Sequence, residues 1–129
     1  MLRSLRLALL LGCCVVPASY ADEPASFKRD VVPLFKSRCV MCHLPDSGQA
    51  GLALHPNGGY AKVVGIKSTQ SPLLLVEPGS PEKSYLYSKL IGNHTDVGGT
   101  GERMPFGDTL SAEQIEKVRR WIADGAQNN

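Results

Sequence analysis

The chain has 129 residues, 43% hydrophobic, 20% charged and 6% aromatic, with a formal net charge of +2. This length makes one domain, and the composition is too apolar for a disordered tail. Past the N-terminus no segment reaches the roughly 18 unbroken apolar residues that a membrane-spanning helix needs.

Residues 1–21 read as an export signal: Arg3 and Arg6 begin it, Leu7 to Val16 form a short apolar run, and Ser19-Tyr20-Ala21 closes it. Cleavage after Ala21 is expected, leaving residues 22–129 as the mature domain in an extracytoplasmic, periplasmic compartment. Without Arg3 and Arg6, twelve cationic side chains stand against twelve acidic ones. The mature chain is then neutral and has no general attraction for nucleic acid or anionic lipid. Two alternatives remain open here. One is an uncleaved N-terminal helix; the other is a lipid anchor at Cys13, because Leu10-Leu11-Gly12-Cys13 is similar to a lipoprotein box.

Residues 27–38 place Phe27, Val31, Leu34, Phe35 and Arg38 at helical spacing, with Pro33 forcing a kink or a late start. That helix runs into Cys39-Val40-Met41-Cys42-His43, the C-x-x-C-H pattern of covalent c-type haem attachment. Two thiols three positions apart on a tight turn can add to the two vinyl groups of one haem, and the next residue offers an imidazole to the iron. A Cys39–Cys42 disulfide, a thioredoxin-like site and a zinc site are the competing readings. The thioredoxin-like site would need a preceding strand, and zinc would have to draw on the irregularly placed His55 and His94.

Residues 44–58 are loop, rich in Gly and Pro, with Leu52 and Leu54 alternating as one short extended piece that faces inward. A short helix is expected near 59–64. A longer one is predicted over 81–91, capped by Ser80, started by Pro81 and stopped by Gly92. Leu86 and Leu90 should pack inward on it while Lys89 snorkels. The last helix begins at Ala112, because Ser111 and Gln114 form a capping box and Leu110 and Ile115 have the spacing of a hydrophobic staple. Ile115, Val118 and Ile122 line one face with Trp121 at its edge, and Gly125 ends it. Its natural partner is the helix that contains Phe35.

A haem iron needs a sixth ligand or an open site. Met1 leaves with the signal and Met41 lies inside the attachment turn, so Met104, in Gly101-Glu102-Arg103-Met104-Pro105-Phe106, is the expected ligand opposite His43. His94 is the rival, and His55 stands behind it. Lys36, Lys62, Lys67 and Lys89 are candidates for a docking rim or a solvated face, and Arg38 and Arg103 for pairing with haem propionates.

Phe35 ahead of Cys39, the Cys39-to-His43 motif, Arg103-Met104-Pro105, and Val118 with Trp121-Ile122 together resemble a class I monohaem cytochrome c. The stretch Val76-Glu77-Pro78-Gly79-Ser80-Pro81 through Ser84-Tyr85-Leu86-Tyr87, followed by Trp121 to Ala126, is further similar to a bacterial branch found beside periplasmic enzymes. The resemblance implies an all-α small cytochrome c fold of three to five helices and long loops around one haem c. It implies His43 and Met104 as axial ligands of the iron and Cys39 and Cys42 as covalent attachments. It also implies that Phe35 and Trp121 meet where the terminal helices cross, and that a proline carbonyl holds the proximal imidazole, for which Pro56 is the nearby candidate. Val31 replaces the small residue that many members carry eight positions before the first cysteine.

The expected role is electron transfer between redox protein partners through weak contacts at a haem edge near Val40, Leu44 and Pro45, with the chain a monomer or in a weak complex. The alternative is a haem enzyme or a gas or peroxide sensor with a displaceable sixth ligand, for which His94 would be the acid or base.

Overall fold

The computed structural model describes residues 23–46, 48–55 and 59–129. The export signal, the anchor at Cys13 and the proposed Pro56 carbonyl lie outside the described residues. Helices α1 (Val32–Arg38), α2 (Gly59–Val63), α3 (Tyr85–Ile91) and α4 (Ala112–Ala123) make an all-α fold. Among the described residues there is no strand; extended pairing is confined to isolated bridges such as Val64 with Val76 and Leu74 with Ser84. No described helix is long and apolar enough to cross a membrane.

The helix predicted over 27–38 is wound in two ways. Phe27–Val31 is a π-helical turn and α1 follows it directly. Pro33 explains the change, since it has no N–H to give to the Arg29 carbonyl. The turn ahead of it is wider, and the Val32 N–H reaches Phe27 O instead. Pro33 itself sits in the first turn of α1, where a missing donor costs nothing.

The helix predicted over 81–91 is divided. Pro81–Lys83 forms a 3₁₀ turn, Ser84 is extended (φ −103°, ψ 112°), and α3 starts only at Tyr85. Competing hydrogen bonds divide it: Tyr85 N–H and Leu86 N–H go to Leu74 O and Leu75 O, both at 2.9 Å. Ser84 Oγ accepts from Glu77 N–H at 2.9 Å and donates to Ser80 O at 2.9 Å. Neither Ser80 nor Ser84 caps through its side chain, whereas the stop at Gly92 is as expected, with φ 85°.

Helix α4 has both halves of the Ser111–Gln114 capping box. Trp121 is not at the edge of its apolar stripe but fully buried with Val118 and Ile122. The ring against it is Phe27, at a centroid distance of 5.2 Å, and Tyr60 of α2 lies 5.2 Å from Phe27 and 6.5 Å from Trp121. Phe27 also meets Phe35 edge-on at 6.1 Å. The C-terminal residues are fastened around this cluster: Phe27 N–H donates to Asn129 Oδ1 at 2.9 Å and Tyr60 OH to Ala126 O at 2.9 Å.

Candidate functional site

The attachment pentapeptide continues the winding of α1. Cys39 N–H and Val40 N–H both donate to Phe35 O, at 3.0 and 2.9 Å, and Cys42 N–H and His43 N–H both donate to Cys39 O, at 3.2 and 3.1 Å. Two tight turns therefore carry both thiols and the imidazole off one helix end. The cysteines are free thiols. Cys39 leans on the hydrophobic core and burial pushes its thiol up to about 11, while Cys42 is exposed.

His43 is buried, and its backbone and ring are both taken by the loop that follows. Leu54 N–H donates to His43 O at 2.9 Å, and His43 Nδ1 lies 3.2 Å from Leu52 O. A carbonyl only accepts, so Nδ1 is the nitrogen that donates here, and in the neutral ring this is the tautomer that turns Nε2 to a metal. The carbonyl against Nδ1 among the described residues is that of Leu52. The loop doubles back closely enough only because residue 48 is glycine: a Cβ there would lie 2.2 Å from Leu52 O and 2.8 Å from Leu44 O.

Met104 is half-buried and packs against the same core as Cys39. Its N–H donates to Lys89 O at 3.0 Å, which ties the loop to α3. Lys89 does not snorkel and forms no docking rim. It is 6% exposed, with Nζ 2.6 Å from Thr100 O and 2.8 Å from Glu102 O. Lys36, Lys62 and Lys67 are exposed. The Arg103 guanidinium is spent on Leu90 O, at 3.1 and 3.0 Å, and Arg38 pairs with Asp108. That pair joins the residue before Cys39 to the segment after Met104, so the two halves of the expected ligand set are tethered to each other.

His94 is buried, with Nε2 2.8 Å from Gly101 O, which ties it to the loop, and with Nδ1 without a hydrogen-bond partner among the described residues. Met41, Leu44 and Phe106 are the large apolar side chains left exposed near these segments, at 84%, 43% and 74%. Among the described residues no three His, Cys, Asp or Glu side chains gather as a cluster able to hold a single metal ion. The donors present, two thiols and an imidazole on one turn with a thioether on a tethered loop, suit a haem.

Sequence reasoning missed Leu52 as the acceptor for His43, and Lys89 and Asp108 as the residues that fix the Met104 loop. A weak signal existed for the first: Gly48 and Gly51 bracket a reversal that returns the inward-facing Leu52 towards His43.

No protein-family profile matches the chain, and no curated protein matches it. Among solved structures it is similar to the hydrazine synthase of Kuenenia stuttgartiensis, with a TM-score of 0.50 and 20% identity over 81% of this chain. The chain spans 16% of that protein's chain. At this identity the likeness concerns the fold alone.

Proposed function

We propose that the mature chain is a periplasmic electron carrier, a monohaem c-type cytochrome of the class I kind with one haem c on Cys39 and Cys42. The observation that carries this reading is the C-x-x-C-H turn, in which the Leu52 carbonyl holds His43 Nδ1 and leaves Nε2 to bind a metal. Each thiol would add across one vinyl group, forming a carbon–sulfur bond as the thiol proton passes to the vinyl carbon. A haem bound there supplies one-electron exchange between ferric and ferrous iron.

His43 and Met104 would hold the iron; a thioether sulfur there would favour the ferrous state and raise the potential. The Arg38–Asp108 pair and the Lys89 contacts keep Met104 on its loop through the redox cycle. A carrier of this kind needs no acid or base at the metal, and His94, the residue an enzyme or sensor would use, has its Nε2 held by Gly101 O. Met41, Leu44 and Pro45, exposed around the attachment turn, suit brief, weak contact with redox partners.

Expression in a host competent in cytochrome maturation tests the reading. The mature protein is expected to exceed its polypeptide mass by one haem, to show Soret absorbance and to bind carbon monoxide poorly when reduced. A bare polypeptide mass without Soret absorbance overturns the proposal, and rapid stoichiometric carbon monoxide binding by native protein replaces the carrier with an open-site enzyme or sensor.

A further inference from the structure

We propose that Lys89 is the positioning residue of Met104, an inference that rests on the haem reading above. A lysine is almost never this buried unless its charge is answered. Here the hydrogen-bond partners of Nζ are backbone: Thr100 O at 2.6 Å and Glu102 O at 2.8 Å, with the Tyr85 ring 5.3 Å below. A desolvated ammonium binds carbonyl dipoles strongly and leaves a large penalty if they move away.

The same residue grips the loop a second time, through its own carbonyl, which accepts the Met104 N–H at 3.0 Å. Tyr85, one turn earlier on α3, completes the clamp: its OH donates to Thr100 O at 2.7 Å. The loop comes this close because residue 99 is glycine, where a Cβ would lie 2.3 Å from Tyr85 Cε2. Beside the contacts of His94 with Gly101 O and of Thr100 N–H with Gln70 O, one buried cation and one phenol thus grip the path from Gly99 to Met104. A leucine at position 89 would fill the volume and keep the carbonyl that takes Met104 N–H, but would supply nothing to hold Thr100 O and Glu102 O. Lys89 holds the thioether at its station, and loss of its charge frees the sixth position.

Haem-loaded native protein, Lys89→Met and Gly101→Ala test this together. Gly101→Ala attacks the clamp from the exposed side, since its Cβ would lie 3.1 Å from Lys89 Nζ at φ +76°. Native protein is expected to show the ferric absorption band at the red end that marks methionine bound to iron. Both variants are expected to lose it and to take up carbon monoxide stoichiometrically when reduced, with haem content retained. The Met104 amide should exchange hydrogen faster by about tenfold or more, while the core amides around Trp121 keep native rates.

A Lys89→Met protein that keeps the band and excludes carbon monoxide overturns the clamp and leaves the haem reading standing. Native protein without haem, or with haem but no band, removes both the ligand and its positioning residue. If Lys89→Met does not fold, Gly101→Ala decides: loss of the band with unchanged core exchange supports the clamp, and a retained band overturns it.

Discussion

Met104→Ala removes the thioether but keeps the N–H that Lys89 O accepts, so the loop should hold its course while the metal loses its sixth ligand. Retained haem, no red-end ferric band and stoichiometric carbon monoxide uptake are the expected outcome; an unchanged spectrum would take Met104 out of the ligand set. The two cysteines differ in their surroundings. With its thiol pushed up to about 11 from 9.0, Cys39 carries about a hundredfold less thiolate at neutral pH than an ordinary thiol. In polypeptide made without maturation, iodoacetamide should therefore label exposed Cys42 well before Cys39, whereas haem-loaded protein should label neither; peptide masses check both. The two cysteines and His43 stand out in the sequence as rare types at short, fixed spacing, and Met104 as the methionine left once Met1 and Met41 are set aside. Leu52, Lys89 and Asp108 do not, since a carbonyl acceptor or a loop-clamping lysine is defined by where a long loop travels. Arg38 and Arg103, the candidates for propionates, also have acceptors on the protein itself, Asp108 and Leu90 O.

At the level of elements, local signals were read well where they face no competition. The capping box of α4 is of this kind, and Ser111→Ala should cost about 1 kcal/mol, a fall of roughly 4–8 °C in Tm for a domain of this size. The signals at Ser80 and Pro81 were just as good on paper, yet the helix breaks at Ser84 because Leu74 and Leu75 take the N–H groups of Tyr85 and Leu86. No local pattern announces a bond between segments eleven residues apart. The reversal at Gly48 is a third case, in which the obstruction is backbone on both sides and cannot rotate away. Gly48→Ala should lower Tm by more than Ser111→Ala does, and it should also reduce haem incorporation, because the turn that must open also sets Leu52 O against His43. Melts of the two variants side by side check the order; equal losses would mean that the reversal adjusts without strain.

At the scale of the whole molecule, the longest α-helix among the described residues has 12 residues and the others five to seven, lengths that are marginal or worse in isolation. Their stability comes from packing, and the packing centres on Phe27, Tyr60 and Trp121, which bring together the N-terminal π-turn, α2 and α4. The all-α class and its four helical regions could be read from periodicity and caps. The partner of Trp121 could not, since the resemblance pointed to Phe35. The π-turn ahead of Pro33 carries Phe27, and that ring lies against the indole, with Phe35 edge-on behind it. Aromatic pairs at such distances contribute about 0.5–1.5 kcal/mol beyond their buried area. A double-mutant cycle of Phe27→Leu with Trp121→Leu, followed by denaturant unfolding of haem-loaded protein, should therefore give a coupling of about 1 kcal/mol. The cycle of Phe35→Leu with Trp121→Leu should give less, because the two rings communicate through Phe27. If the larger coupling falls on Phe35, the terminal helices cross as the resemblance implied, and Phe27 is a neighbour of the core and not its centre.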